Sequence, residues 1–337
     1  MNQIQITPWH WAGFILCVLI FLALDLGIFH RGPHTVKFKE ALAWSSLWFA
    51  LAMLFGAAMI FWRGREEATE FVTGYLIELS LSLDNILVIA LIFTAFRVAP
   101  EFQHRILFWG ILGALVMRGA MIGIGAALVQ RFGWVLYVFG VFLLFTGVKM
   151  LFSHHEAIDP ENNFTLRLAR KIFPVARDFD GQKFFTRLNG RFALTQLALV
   201  LLLVETTDLL FAVDSVPAVF SVTRQAFIVF TSNVFAILGL RSMYFLLAGA
   251  LGQFRYLKAG LSIVLVFVGA KMLLDPHDAI PKWFQMEIPT GVSLLVVAAI
   301  LLISIALSVT AARREKKQPR IDTDEKAASS VSTRGKK

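Results

Sequence analysis

The residues in this chain that could do chemistry stand where charge is expensive. The stretch Tyr75-Leu-Ile-Glu78-Leu-Ser80-Leu-Ser82-Leu-Asp84-Asn85 lies in an apolar run that continues to Phe96. A second stretch, Glu205-Thr-Thr-Asp208-Leu-Leu-Phe-Ala-Val-Asp214-Ser215-Val-Pro217, lies in another. Each carries two acids at the same spacing, Glu78 with Asp84 and Asp208 with Asp214. An acid at the centre of a hydrocarbon layer costs about 2.5–3.5 kcal/mol on the insertion scale. Repeating that cost at matching places asks for a purpose.

The ligand atoms are hard: carboxylate, the Asn85 carboxamide, hydroxyl and backbone carbonyl oxygen. Such oxygens suit Mg²⁺, Ca²⁺ and Mn²⁺ better than Cu⁺ or Zn²⁺. No Cys pair, His pair or Met cluster accompanies the acids. His154, His155 and His277 fall at the ends of apolar runs and read as interfacial histidines. Asp25 is a further acid in an apolar run. Arg118, Lys149, Arg241 and Lys271 are the bases in such runs. Lys149 and Lys271 lie near run ends and are expected to reach the interface. Arg118 and Arg241 are deeper and are expected to be counter-charges to the acids. The acids outnumber these bases, which suits a divalent cation or exchangeable protons. The plain structural alternative is that acids and bases pair only to hold helices together.

Spacing constrains the geometry. Over six residues a helix turns about 240° and rises about 9 Å. Glu78 and Asp84 therefore cannot hold one ion from a straight helix. Either the helix breaks between them, with Ser80 and Ser82 satisfying freed backbone groups, or each acid serves a different partner. Pro217 removes an amide hydrogen and favours a second break. Glu205 and Asp208, at i and i+3, share a face. Asp84 and Asp214, followed by Asn85 and Ser215, are expected to be first ligands. Glu78 and Asp208 would be secondary ligands or proton carriers.

The elements that position these residues are membrane spans. Of 337 residues, 57% are hydrophobic and 16% charged, where soluble domains run near 25% charged. Apolar runs lie near 10–29, 41–62, 70–96, 106–128, 134–152, 192–218, 226–250, 257–274 and 289–311. They predict an all-α polytopic bundle of about nine spans. The first nine residues carry no Lys or Arg, and no small-residue cleavage site follows, so the first run reads as an uncleaved span. Trp9, Trp11, Trp62, Trp134 and Trp283 fall near run ends, as interfacial belts do. Most Lys and Arg gather on one side, above all in residues 153–191 and the tail. The other side holds Arg63, Arg65, Arg131, Arg224 and Lys282. Positive-inside bias then puts the N-terminus outside and the C-terminus in the cytoplasm, in a bacterial inner membrane. It also explains the formal charge of +9 without nucleic acid. The single cysteine, Cys17, makes no intrachain disulfide. The basic loop 153–191 is expected to hold a short interfacial helix over Phe164–Phe173. Residues 1–312 form the transmembrane domain, and 313–337 read as a disordered cytoplasmic tail.

The acidic stretches open a longer echo. Each is followed by a run with one central Arg and a run ending Gly-x-Lys-Met-Leu. The first copy has Arg118 and Gly147-Val-Lys149-Met-Leu, the second Arg241 and Gly269-Ala-Lys271-Met-Leu. Residues from about 70 to 152 thus match those from about 192 to 274. Three spans per copy force opposite insertion. This is the inverted repeat of many secondary transporters, whose substrates bind near the bilayer midplane.

At these residues the chain resembles a known family. Glu78-Leu-Ser-Leu-Ser-Leu-Asp84-Asn85, Val204-Glu205-Thr-Thr-Asp208-Leu-Leu-Phe-Ala-Val-Asp214-Ser-Val-Pro217-Ala and Phe230-Thr-Ser-Asn233-Val-Phe-Ala-Ile-Leu-Gly-Leu-Arg241 look like signatures of the TerC family. Asp25-Leu-Gly-Ile-Phe-His30 resembles its Alx-like branch. The resemblance runs from about Asp25 to Leu274 and implies a three-plus-three inverted-repeat transporter. It implies manganese export and, by the family's name, tellurite resistance. It also implies that Glu78, Asp84, Asn85, Glu205, Asp208 and Asp214 line a metal path. Asp25, Ser80, Ser82, Ser215, Arg118 and Arg241 are expected around them. One departure is Thr195-Gln196-Leu, where the family pattern has Thr-Pro.

The expected function is export of a divalent cation, Mn²⁺ foremost, by alternating access with proton exchange. The metal is cargo, and no cofactor is expected. No Walker motif, His–Glu zinc motif or Ser–His pair at a plausible depth points to an enzyme. The expected partners are the metal ion, protons and the bilayer, and the sequence identifies no protein partner. The rival is a membrane scaffold that loads metal into exported proteins without moving it.

Overall fold

In chain order the helices are α1 (Pro8–Gly27), α2 (Phe38–Trp62), α3 (Arg65–Ala95), α4 (Pro100–Arg131), α5 (Val135–Phe152), α6 (Phe164–Ile172), α7 (Gln196–Phe220), α8 (Ala226–Ala248), α9 (Leu257–Leu274) and α10 (Thr290–Lys317). Between α6 and α7 lies a hairpin, β1 (Phe185–Leu188) and β2 (Arg191–Leu194). The computed structural model describes residues 6–27, 38–152, 163–176, 181, 183–188, 190–248, 256–275, 285–286 and 288–317. His30, His154, His155, His277, Trp283, the side chain of Asp25 and residues 318–337 lie outside them.

Among the described residues eight helices are long and apolar enough to cross a membrane, and α1 adds a shorter apolar stretch, Pro8–Ala23. Large apolar side chains stand exposed on the outer helices, among them Leu54, Phe61, Phe145 and Leu295. Exposed apolar surface on this scale fits a hydrocarbon solvent, and helices satisfy every backbone group within themselves. Burial differs between the helices. In α3 and α8, 67% and 83% of the most apolar window is buried, against 56% in α9 and 33% or less in the other long helices. The acid-bearing α3 and its neighbour α8 therefore form the centre.

The helices pack in a regular order. α3 lies mainly against α8 and α7, α4 against α7 and α8, and α5 against α9. Where α5 and α9 cross, glycines face backbone. A Cβ on Gly269 would stand 2.7 Å from the Leu144 nitrogen and 2.8 Å from the Gly140 carbonyl. A Cβ on Gly147 would stand 2.9 Å from the Val266 nitrogen. The glycine of each Gly-x-Lys-Met-Leu motif thus lets two helices approach closely, as small residues do in membranes.

Several expectations need correction. α3 is unbroken from Arg65 to Ala95, so Glu78 and Asp84 serve different partners. Ser80 donates to the Leu76 carbonyl at 2.5 Å, inside an intact turn. α7 runs through Pro217 to Phe220 without the expected break, with only the one amide bond that Pro217 cannot donate missing from the ladder. The sixth apolar run does not begin as helix at 192, since Arg191–Leu194 pair with Phe185–Leu188. α10 continues to Lys317, past the expected boundary at 312. Trp11, half-buried near the start of α1, packs on Phe227 at 5.3 Å between ring centroids. The interfacial helix expected over 164–173 is α6, capped by the Asn163 side chain on the Thr165 and Leu166 amides.

Candidate substrate site in the membrane core

Asp208 is the midpoint of α7. Its carboxylate accepts from Arg118 Nε at 3.1 Å and from Arg118 Nη2 at 2.8 Å. The same guanidinium uses Nη1 to donate to Glu78 Oε1 and, at 3.3 Å, to Ser215 Oγ. Asn85 Nδ2 donates to Asp208 Oδ1 at 3.1 Å. Three helices, α3, α4 and α7, so converge on one cation held between two carboxylates. Glu78 is 0% and Arg118 1% exposed. In such surroundings the bidentate guanidinium is the strongest available partner for Asp208.

The cluster is not saturated. Glu78 Oε2 and Asn85 Oδ1 are buried and take no hydrogen bond in the protein, and neither does Ser82 Oγ. Two carboxylates face one guanidinium, which leaves one negative charge. Among the described residues, no three His, Cys, Asp or Glu side chains come close enough to form a ready metal cage. Arg118 occupies the space between the acids, as an internal cation.

The other predicted residues are distributed more widely. Asp84 is buried, but Arg118 takes Glu78 and Asp208 instead. Asp214 is half-buried and faces Thr146 and Lys149 of α5. Arg118 thus brings together Glu78 and Asp208, matched positions of the two stretches, while Asp214 faces α5. Glu205 and Asp208 both face α4, each with its own neighbour there. Glu205 packs against Gly113, where a Cβ would overlap its carboxylate, while Asp208 reaches Arg118. Glu205 Oε2 is buried without a hydrogen bond. Arg241 is buried in α8. Lys149 is exposed, as expected, whereas Lys271 is 4% exposed and points inward, with Nζ 3.4 Å from the Ser221 carbonyl and 3.7 Å from Asp275 Oδ2. A carboxylate one turn on competes successfully with the interface for this lysine.

The sequence reading gave no site role to Gly113, Asn233 or Glu70. Gly113 makes room for Glu205. Asn233 is 0% exposed with both carboxamide atoms unbonded, a costly state for a buried amide. Glu70 lines a cavity of about 680 Å³ with Arg65, Glu66, Lys271 and Asp275. This vestibule opens where α3 and α10 begin and α7 and α9 end, and Glu70 lies about 12 Å along α3 from Glu78. Only the carboxamide of Asn233, inside an apolar run, carried a signal readable in advance.

The fold and this buried cluster define a polytopic integral membrane protein with a polar site in its core. The chain belongs to the TerC family of integral membrane proteins, which it matches over residues 63–316. It is 53% identical over 308 residues to an uncharacterized membrane protein of Myxococcus xanthus, covering 91% of this chain and 94% of that one. It is 45% identical over 329 residues to Alx of Escherichia coli (strain K12), covering 94% and 99%; that relative carries the provisional description of a membrane-bound redox modulator. An uncharacterized membrane protein of Rickettsia bellii is 38% identical over 299 residues, covering 89% and 96%. No solved structure matches.

Proposed function

We propose that this protein exports divalent cations, Mn²⁺ foremost, across the bacterial inner membrane, with its N-terminus outside and C-terminus in the cytoplasm. The observation that carries this reading is the Glu78–Arg118–Asp208 cluster at mid-helix depth. Its carboxylates, with the free acceptor atoms of Glu78 and Asn85, offer the hard oxygens that such ions take. In the described state Arg118 offsets one of the two acid charges. A dication entering between them would displace the guanidinium, and its departure would let Arg118 return. Proton uptake by the same acids would serve equally to discharge the ion. A dication moving out against ~100 mV costs about 4.6 kcal/mol, which proton entry would offset. The mixed-charge vestibule would be the outer exit.

Alternating access would come from two inverted repeats, α3–α5 and α7–α9. The packing supports this arrangement. Matched helices touch each other, α3 with α7, α4 with α8 and α5 with α9, and the contact of α3 with α8 has its counterpart in α7 with α4. The meeting of Glu78 with Asp208, matched positions in the two copies, supports it further. Under this reading the protein is not an enzyme and holds no resident cofactor. The Escherichia coli relative's description suggests redox work instead. This chain has one cysteine, Cys17, exposed on α1, so two-thiol exchange within the chain is not available to it.

Purified protein in liposomes tests the proposal. It should move Mn²⁺ unaided, driven by an opposing pH gradient, and Glu78→Gln, which leaves Arg118 paired with Asp208, should abolish that flux while the protein stays folded. A parent protein that moves no Mn²⁺ would favour the scaffold reading. Flux surviving the substitution would instead remove the site assignment.

A further inference from the structure

The segment between α5 and α7 builds a second cavity, unlike the polar core. Its volume is about 660 Å³, and its wall is apolar apart from Thr165 and Glu205, the latter tucked against Gly113. One side is the face of α6 formed by Thr165, Leu168, Ala169 and Ile172, the i, i+3, i+4, i+7 stripe of an amphipathic helix. The far wall is the first turns of α7, from Ala198 to Glu205, and Trp109 of α4. The hairpin closes the top through Phe184 and Phe185. Thr195 ties it to α7, donating to the Lys183 carbonyl at 2.7 Å. From the start of α7 to Glu205 the wall descends about 13 Å. That is the depth of hydrocarbon, entered from the interface.

The outer flank of α6 and the hairpin have the opposite character. On α6 the side chains of Arg167, Arg170 and Lys171 are exposed on the flank opposite the cavity-lining stripe. Arg187 and Arg191 of the hairpin are exposed too, and Arg105 stands 5.2 Å over the Phe184 ring. Exposed Phe164, Ile172, Phe185 and Phe192 accompany these bases. An apolar slot running down into the bilayer under a cationic collar has the shape and charge of one class of ligand. We propose that this cavity seats an acyl chain of an anionic phospholipid, whose phosphate the α6 and hairpin bases hold at the interface. A zwitterionic lipid fits the slot equally well but gains nothing from the collar, so charge supplies the selectivity. The site rests on membrane insertion alone and is independent of what the core transports. Occupancy would brace α6 and the hairpin against α7, the helix that carries Asp208.

Trp109 in the wall provides the readout. The full chain is reconstituted in bilayers with graded fractions of phosphatidylglycerol or phosphatidylcholine carrying brominated chains, which quench tryptophan on contact. The difference between the parent and Trp109→Phe isolates the cavity signal. Half-quenching should come at a mole fraction on the order of tenfold lower for the phosphatidylglycerol. Replacing Arg167, Arg170 and Lys171 together by Gln should bring the two curves together, with the phosphatidylcholine curve unmoved. Arg170→Gln alone should narrow the gap if the triple variant fails to assemble. Ala198→Phe, which fills the slot, should protect Trp109 from both lipids. Coincident curves in the parent, no quenching by either lipid, or a preference that survives loss of the α6 bases would each overturn the proposal.

Discussion

The two acid-bearing helices look alike in sequence and live in different surroundings. α3 is central, with 67% of its most apolar window buried; α7 is peripheral, with 33%. Glu78 and Asp208, each six residues before the second acid of its pair, arrive at the same place, on the guanidinium of Arg118. The second acids part company. Asp84 is buried in the centre, while Asp214 is half-buried and faces α5. Matching sequence positions therefore define one shared point, and depth in the bundle decides the rest. Under an inverted-repeat mechanism this asymmetry is expected. The two copies hold different conformations at any moment, and exchanging them turns the site from one side to the other.

The largest effect should come from breaking the shared point. Arg118→Ala leaves Glu78 and Asp208 buried without their cation, a loss of about 3–5 kcal/mol. Arg131→Ala, at the exposed end of α4, should leave stability within about 0.5 kcal/mol. Melting temperatures in detergent compare the two. Adding Glu78→Gln and Asp208→Asn to Arg118→Ala should restore most of the loss, because the uncompensated charge is then gone. Equal melting temperatures for the two single variants would break the comparison, since they would mean that Arg118 does not compensate the acids.

A smaller, sharper effect separates the second acids. Asp84→Asn acts on a buried carboxylate of the central helix and should lower liposome Mn²⁺ flux about tenfold or more, a loss of at least roughly 1.4 kcal/mol of barrier lowering. Asp214→Asn acts on a half-buried acid toward α5 and should leave flux within about threefold of the parent, below roughly 0.7 kcal/mol. Equal, severe losses would restore the sequence-based expectation that these two are the first ligands.

Much of this was legible because membrane chemistry leaves few options. Apolar runs gave the spans, with the eight long helices α2 to α5 and α7 to α10 near their expected places and α1 a shorter apolar stretch among the described residues, because a spanning segment has to be a helix. Arg118 was readable as a counter-charge, since a deep arginine among acids requires a partner. The partners themselves were not readable. Which acid Arg118 takes depends on helix rotation about the α3–α4–α7 contact, and spacing along one chain carries no information on rotation between helices. The inward turn of Lys271 escaped for a related reason: position near a helix end permits both snorkelling and pairing, and Asp275 decides. The hairpin was missed because Arg191-Phe-Ala-Leu194 is short, apolar and continuous with the run of α7.

The smallest effect lies at the two helix entrances. α3 starts at Gly64, whose φ is 97°, with no side-chain cap. Its first turn is held by the buried pair of Arg63 Nε and Glu67 Oε2 at 2.5 Å. α7 starts at Thr195, whose side chain accepts from the Ala198 amide and donates to the hairpin. Next to it Gln196 stands at the first helical position, where the family pattern has proline. Proline there sacrifices no intrahelical bond and carries the right φ. Gln196→Pro would lose the bond from Gln196 Nε2 to the Ala176 carbonyl, 3.2 Å long, a cost of about 0.5–1.5 kcal/mol. It would gain about 0.4–1 kcal/mol by restricting the unfolded chain. The two nearly cancel, so its melting temperature should match the parent's. Thr195→Ala loses the cap with no such gain and should cost about 1 kcal/mol. A clear loss for Gln196→Pro would show that the link from α7 to Ala176 matters more than backbone preorganisation, and that this chain anchors its second acidic helix differently from the family pattern.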